Sequence, residues 1–265
     1  MAKVAVVTGG SSGIGRSCAR VLAEAGCVVY ELSRRDLRAP GVVHLSADIT
    51  EEAQVSAAIS QVIREAGTID ILVNNAGFGI SGALEMTDPV AARRQLDVNL
   101  FGMDTVTRAV LPVMRRAGKG RIVCTSSIAG IVPIPFQGWY SVSKAAINAY
   151  VLALANEVRP YGISVCALMP GDIATGFTDA RQKDGTGDEA DAYAGRIARS
   201  VAVMEKDERG GMSPEMAGRA LARLALRRRS RPLVALGVSY KAVALLEKLL
   251  PTRFVNWLVY LIYAR

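Results

Sequence analysis

Short β-branched runs alternate along this chain with longer stretches of helical periodicity, and this alternation constrains the fold more than any other feature. Runs at 4–8, 28–32, 42–45, 69–73, 121–125, 163–168 and 232–236 read as strands, most of them nearly continuous in apolar residues. A strand that is apolar on both sides needs cover on both faces, which predicts βαβ units and a parallel sheet. Helical periodicity at 14–25, 51–65, 89–116, 141–158 and 214–226 supplies that cover. The expected architecture is α/β: a doubly wound parallel sheet of about seven strands with helices on both faces, followed by a C-terminal helical extension. With 265 residues, no internal repeat and no interdomain linker, the chain reads as a single domain over 1–265. Its core covers about 1–212, and an extension over 213–265 adds the last strand and amphipathic helices at 238–250 and 252–264.

Composition narrows the class. Hydrophobic residues at 51% and charged residues at 21% describe a soluble, globular chain. The N-terminus enters a strand at once, without the order of a signal peptide. The apolar stretch 254–264 is interrupted by Asn256 and is too short to span a bilayer. A cytoplasmic location is expected. Cys18, Cys27, Cys124 and Cys166 lie far apart with no C-x-x-C pair, as reduced structural thiols do. His44 is the single histidine, so no metal is expected, and a proton carrier would have to be another residue type.

The first chemical signal is the turn Thr8-Gly9-Gly10-Ser11-Ser12-Gly13-Ile14-Gly15, between the first strand and the first helix. Glycines let backbone approach a pyrophosphate closely, and the helix N-terminus faces its charge. The second strand then runs into Ser33-Arg34-Arg35. A hydroxyl and guanidinium groups there suit a 2′-phosphate, so NADP(H) is favoured over NAD(H), although Glu31 and Asp36 stand nearby. The second signal is Tyr140-Ser141-Val142-Ser143-Lys144, which sets a phenol and an ammonium group on one helical face. A neighbouring cation lowers a tyrosine pKa toward the range useful for proton transfer. Taken alone, Y-x-x-x-K is a common surface pair.

Together these features resemble the classical short-chain dehydrogenase/reductase family, a Rossmann-type fold, from about residue 4 to residue 175. The resemblance rests on the glycine turn, Asp48, Asn74-Asn75-Ala76-Gly77, Val98-Asn99-Leu100, Ser126-Ser127, the Tyr140/Lys144 pair and Pro170-Gly171-Asp172-Ile173-Ala174-Thr175, all in order. The stretch 72–84 and the C-terminal extension resemble its hydroxysteroid and retinol dehydrogenase-like branch. The resemblance implies that Ser127, thirteen residues before Tyr140, binds the substrate oxygen, and that Tyr140 gives or takes its proton. It implies that Lys144 binds the nicotinamide ribose and lowers the tyrosine pKa, and that Asn99 kinks its helix and holds a water linking Lys144 to solvent. Gly9, Ser11, Ser12, Gly13, Ile14 and Gly15 would cradle the pyrophosphate, and Ser33, Arg34 and Arg35 the 2′-phosphate. Asp48 and Ile49 would flank the adenine, Asn75, Ala76 and Gly77 the adenosine ribose, and Pro170, Gly171, Ile173 and Thr175 the nicotinamide.

The segment 128–139 offers apolar surface with one amide, and Phe177 and Met169 could extend it. Either it lines a pocket for a lipophilic carbonyl or alcohol, steroid-, retinoid- or long-chain-like, or it packs in the core or at a subunit interface. The polar, glycine-bearing segment 178–211 is a solvated insertion or a mobile lid, and its place after the sixth strand favours the lid. Arg223, Arg227, Arg228, Arg229 and Arg231 precede the last strand, and Trp257, Tyr260 and Tyr263 follow it. This region could rest peripherally on anionic membrane, cap the pocket or pack on another subunit, or be an ordinary docked helix with a solvated basic face. The net charge of +8 agrees with a membrane surface without singling it out. Without a dedicated motif or interleaved aromatics, nucleic acid is not expected as a partner. The sequence thus points to an NADP(H)-dependent oxidoreductase acting on a CH–OH group or carbonyl, as a homodimer. A 3-oxoacyl thioester reductase is the alternative within the enzyme class, and an NADP(H)-sensing binding protein the alternative outside it.

Overall fold

In a computed structural model of the chain, residues 2–36, 39–183, 192–193 and 195–265 are described. The strands are β1 (Val4–Thr8), β2 (Val28–Ser33), β3 (Val42–Ser46), β4 (Ile71–Asn74), β5 (Ile80–Ser81), β6 (Gly120–Thr125), β7 (Ile163–Met169), β8 (Gln182–Lys183) and β9 (Leu233–Ala235). The helices are α1 (Gly13–Glu24), α2 (Glu52–Ala66), α3 (Pro89–Leu96), α4 (Met103–Ala117), α5 (Gly138–Glu157), α6 (Arg196–Arg209), α7 (Pro214–Leu226), α8 (Val238–Leu249) and α9 (Thr252–Tyr263).

Seven strands form one sheet in the order β3-β2-β1-β4-β6-β7-β9, with every pairing parallel. Alternate residues of one strand feed opposite cores, which is why the strands read as continuous apolar runs. Val4 and Val6 of β1 join α2, α4 and α5 side chains such as Val55, Val106 and Val151. Ala5 and Val7 join Leu22 of α1 and Leu221 of α7 on the other face. The order reverses between β1 and β4, and ligands of such sheets bind in the crevice outside the carboxyl ends at that switch point.

The helix expected over 89–116 is broken. A wider π turn over Asp97–Gly102 separates α3 from α4, and Asn99 is buried within it. The side chain of Asn99 leaves its own helix to bond elsewhere, the kind of functional insertion at which π turns occur. Two elements were not anticipated: the two-residue strands β5 and β8, paired in parallel. Of the segment 178–211, residues 184–191 and 194 lie outside the described residues. The rest is not a solvated insertion, because α6 buries Ile197, Val201 and Met204 and β8 pairs with β5. The C-terminal extension joins the body through β9 on β7. Buried Arg121 reinforces that junction: its guanidinium donates to Leu224 O at 3.0 Å, Ser164 Oγ at 3.1 Å and Ser230 Oγ at 2.6 Å.

Candidate active site

The carboxyl ends of β1, β2, β4, β6 and β7 open into one cavity of about 820 Å³. At its first edge the glycine turn bends sharply, with Gly9 at φ +65° and Gly13 at φ +52°. Gly9, Ser11, Ser12, Gly13 and Ile14 face the cavity. Gly15 sits behind them in α1, where a Cβ would lie 2.3 Å from Gly9 O. Its role is therefore close packing that shapes the turn, not contact with a ligand. Asn75 holds the same turn from the far side: its Nδ2 lies 3.3 Å from both Thr8 O and Gly9 O, and its backbone N–H donates to Thr8 Oγ1 at 3.0 Å. Ala76 and Gly77 complete that wall. An exposed backbone cradle at a helix N-terminus fits a pyrophosphate.

Ser33, Arg34, Arg35, Asp48 and Ile49 gather at the end of the cavity beyond β2 and β3. The Ser33 hydroxyl turns back toward Glu31 Oε1 (3.1 Å) and Arg35 O (2.9 Å), so it is engaged within the protein and not aimed outward as expected. Arg34 Nη1 lies 3.8 Å from Asp48 Oδ2. Burial pushes the Asp48 carboxyl up, but hydrogen bonds from Thr50 and the charge of Arg34 outweigh it and hold the group below its ordinary value. Glu31, the acid that clouded the choice of nucleotide, is buried beneath Gly10 and paired with His44, and it does not line the cavity. The lone histidine is thereby explained as a structural partner.

The middle of the cavity carries the hydroxyl pair. Ser127 caps a short 3-10 turn, accepting from Ala129 N–H at 3.1 Å and donating to Pro170 O at 3.4 Å, and its hydroxyl lies near enough to Tyr140 to favour the phenolate. Tyr140 and Lys144 stand one turn apart on α5, with Lys144 Nζ 5.5 Å from the tyrosine ring centroid. Lys144 Nζ donates to Thr125 O at 2.9 Å, and Gly77 leaves room beside it. Asn99 does not line the cavity; its Nδ2 donates to Phe78 O and Ser143 Oγ, each at 3.0 Å, and its Oδ1 accepts from Phe78 N–H. It braces the wall behind Lys144.

The acid–base properties differ from the sequence expectation. Burial pushes the Tyr140 hydroxyl up to about 12, and the nearby Ser127 hydroxyl only partly offsets this. Lys144, also buried, is pulled down to about 8. Desolvation outweighs the attraction between phenolate and ammonium because both charged forms are taken out of water together. The tyrosine hydroxyl is therefore neutral at pH 7.

Pro170, Gly171, Ile173 and Thr175 line the cavity after β7. Tyr240 of α8 lies flat against Gly171, where a Cβ would fall 2.0 Å from its ring, and its hydroxyl pairs with Asp172. Ile128, Val132, Ile134 and Gln137 line the cavity as the 128–139 segment predicts, and Phe177 lies 5.5 Å from the Tyr140 ring. Met169 instead packs inside β7 and does not reach the cavity. A further wall comes from the C-terminal extension and α6, through Tyr240, Val243, Val259, Ile262 and Tyr263 with Met204 and Glu208, in line with the reading in which the extension caps the pocket. Only helical periodicity marked those residues in the sequence. Among the described residues, no group of His, Cys, Asp and Glu converges to hold a metal.

The description "short chain dehydrogenase" fits residues 3–186. The 3-ketodihydrosphingosine reductase of Bacteroides thetaiotaomicron is 42% identical over 85% of this chain and 84% of its own length. Dehydrogenase/reductase SDR family member 7B of Xenopus laevis is 33% identical over 96% of this chain and 80% of its own. A solved short-chain dehydrogenase from Streptomyces avermitilis superposes with a TM-score of 0.81 at 29% identity, covering 94% of this chain and 93% of that one. A 3-ketoacyl-(acyl-carrier-protein) reductase from Brucella melitensis complexed with NADH gives a TM-score of 0.74 at 26% identity, covering 88% and 96%.

Proposed function

We propose, from the premise that this chain belongs to the short-chain dehydrogenase family and is therefore an oxidoreductase using a nicotinamide cofactor, that it is an NADP(H)-dependent reductase of a ketone on a long-chain lipid, with a 3-keto sphingoid base as the leading substrate class. The observation that carries this reading is the apolar wall that α8 and α9 add, through Val243, Val259 and Ile262, to the same cavity that Tyr140 lines. The 42% identity to a 3-ketodihydrosphingosine reductase supports the same class. Arg34 and Arg35, exposed where a 2′-phosphate would lie, support NADP(H), as does the withdrawal of Glu31 from the cavity.

Bound nicotinamide supplies the hydride. The turn at Gly9, Ser11, Ser12, Gly13 and Ile14 would hold its pyrophosphate, Lys144 its ribose hydroxyls, and Thr175 its carboxamide. Ser127 and Tyr140 hold the substrate oxygen between two hydroxyls and stabilise the negative charge that builds on it. Tyr140 then gives its proton to that oxygen, and the carbonyl becomes an alcohol. Lys144 keeps a positive charge beside the tyrosine as it loses that proton, and Asn99 fixes the wall on which Lys144 rests. The same proposal places the enzyme in the cytoplasm as a homodimer joined through the segments 89–116 and 141–158, where Phe101 of the π turn and Leu152 of α5 stand exposed. Sedimentation velocity showing a monomer would remove the dimer.

NADPH oxidation against 3-ketodihydrosphingosine, a steroid ketone, retinal and a 3-oxoacyl thioester tests the substrate class, with NADH in parallel. The long-chain amino ketone should have the highest kcat/KM. Preference for the thioester would replace the proposal with acyl-chain reduction. Tight NADPH binding without turnover of any of them would favour a cofactor sensor.

A further inference from the structure

The helices that wall the cavity have a second side. Along α8, Val238, Ala242, Leu245 and Leu249 recur at helical spacing and face outward, with Val238 85% and Leu249 70% exposed. Along α9, Phe254 and Trp257 stack on each other at 5.8 Å while both remain exposed, and Leu258 and Tyr260 are exposed beside them. Soluble surfaces seldom leave this many large apolar side chains together. The charge on and beside these two helices is mostly of one sign: Lys241, Lys248, Arg253 and Arg265 are exposed against one acid, Glu247. The arginines at 227–229 lie at the other end of the sheet, where Arg228 O accepts from Ser164 Oγ at the start of β7. Each helix has twelve residues, about 18 Å at 1.5 Å per residue, well short of a bilayer core. Among the described residues, no helix is long and apolar enough to cross a membrane. An apolar strip, aromatic edges and a cationic surround on short helices suit the plane of a lipid interface.

The cavity opens toward this surface. Ile262 lines the cavity and is also 57% exposed, so it stands at the mouth. Tyr240 and Val243 line the interior from the helix whose other side carries Leu245 and Leu249. We propose that the outer faces of α8 and α9 seat the protein on an anionic lipid bilayer, with the cavity mouth turned to the lipid so that an apolar substrate enters without crossing water. This goes beyond the identity of the substrate, and its test does not depend on turnover.

The test is flotation of the full chain with phosphatidylcholine vesicles, with and without phosphatidylglycerol. The protein should float with the phosphatidylglycerol vesicles and be released as salt rises. Trp257 emission should be quenched by brominated lipid, and W257F should lose that quenching although Trp139 remains. Replacing Lys241, Lys248 and Arg253 with Gln should weaken partition about a hundredfold, from about 1 kcal/mol for each cation. L245E with L249E should abolish flotation while melting at the parent temperature, since both residues are exposed. Failure of the parent to float, or unchanged flotation in both sets of variants, overturns the proposal. So does a lipid-free dimer that L245E with L249E splits, because a second copy would then cover the face.

Discussion

Replacing Lys144 with Met should make the protein more stable at neutral pH while removing its activity. Lys144 is buried, and burial holds its pKa at about 8 against an ordinary 10.5. At about 1.4 kcal/mol per pH unit, the charged form costs the fold about 3 kcal/mol. Methionine fills similar volume without charge, but Thr125 O loses the 2.9 Å hydrogen bond from Nζ, worth roughly 1.5–3 kcal/mol. The net gain at pH 7 is about 1 kcal/mol, or about 2–4 °C in Tm for a chain of this size. The sign depends on pH. Because the folded pKa lies below the unfolded one, the cost is complete below about 8 and fades as pH rises toward 10.5, where the unfolded lysine also loses its proton. The parent therefore gains stability over that window, and the advantage of K144M shrinks and then reverses as only the lost hydrogen bond remains. Urea unfolding of both proteins at pH 7 and pH 10 measures the difference directly. A difference that does not change between the two pH values would refute the reasoning, whichever protein were the more stable.

Other consequences are as direct. Y140F removes the proton donor but not the cofactor cradle, so kcat should fall about a hundredfold to ten-thousandfold while NADPH titration by fluorescence stays unchanged. For ketone reduction, kcat/KM should hold near pH 7 and decline above about 8 as Lys144 loses its charge, because Tyr140, at about 12, stays protonated; a pH–rate profile checks this. R34A should raise KM for NADPH about tenfold, about 1.4 kcal/mol, and leave KM for NADH nearly unchanged. G15A would set a Cβ 2.3 Å from Gly9 O and 2.4 Å from Asn75 Nδ2, so urea unfolding should show a loss of about 1–3 kcal/mol.

The sheet was legible because its inner strands are buried on both faces, so each of them announces itself as an apolar run with no help from its neighbours. The cofactor end and the hydroxyl pair were legible for a related reason. Each motif is local, lies at the carboxyl end of one strand or the start of one helix, and needs only the parallel order to bring it to a single crevice. The irregularity at Asn99 was legible only through the resemblance, because one widened turn hardly disturbs the apolar periodicity over 89–116. Strands β5 and β8 are two residues each, too short for any pattern. The wall from Tyr240 to Tyr263 depends on how α8 and α9 dock against residues some sixty to a hundred positions earlier, and no local signal encodes that. The burial that raises the Tyr140 pKa was not legible, because spacing reveals a neighbouring charge and not the water removed around both groups.

Hydride transfer to a lipid ketone, with Tyr140 as proton donor, is the central proposal. The most direct test is a single turnover of 3-ketodihydrosphingosine with NADPH deuterated at the transferring position of the nicotinamide, followed by mass spectrometry of the alcohol. The parent should place one deuterium on the new carbinol carbon, and Y140F should form almost no product on the same timescale. An alcohol without deuterium, or equal product from Y140F, would contradict the account.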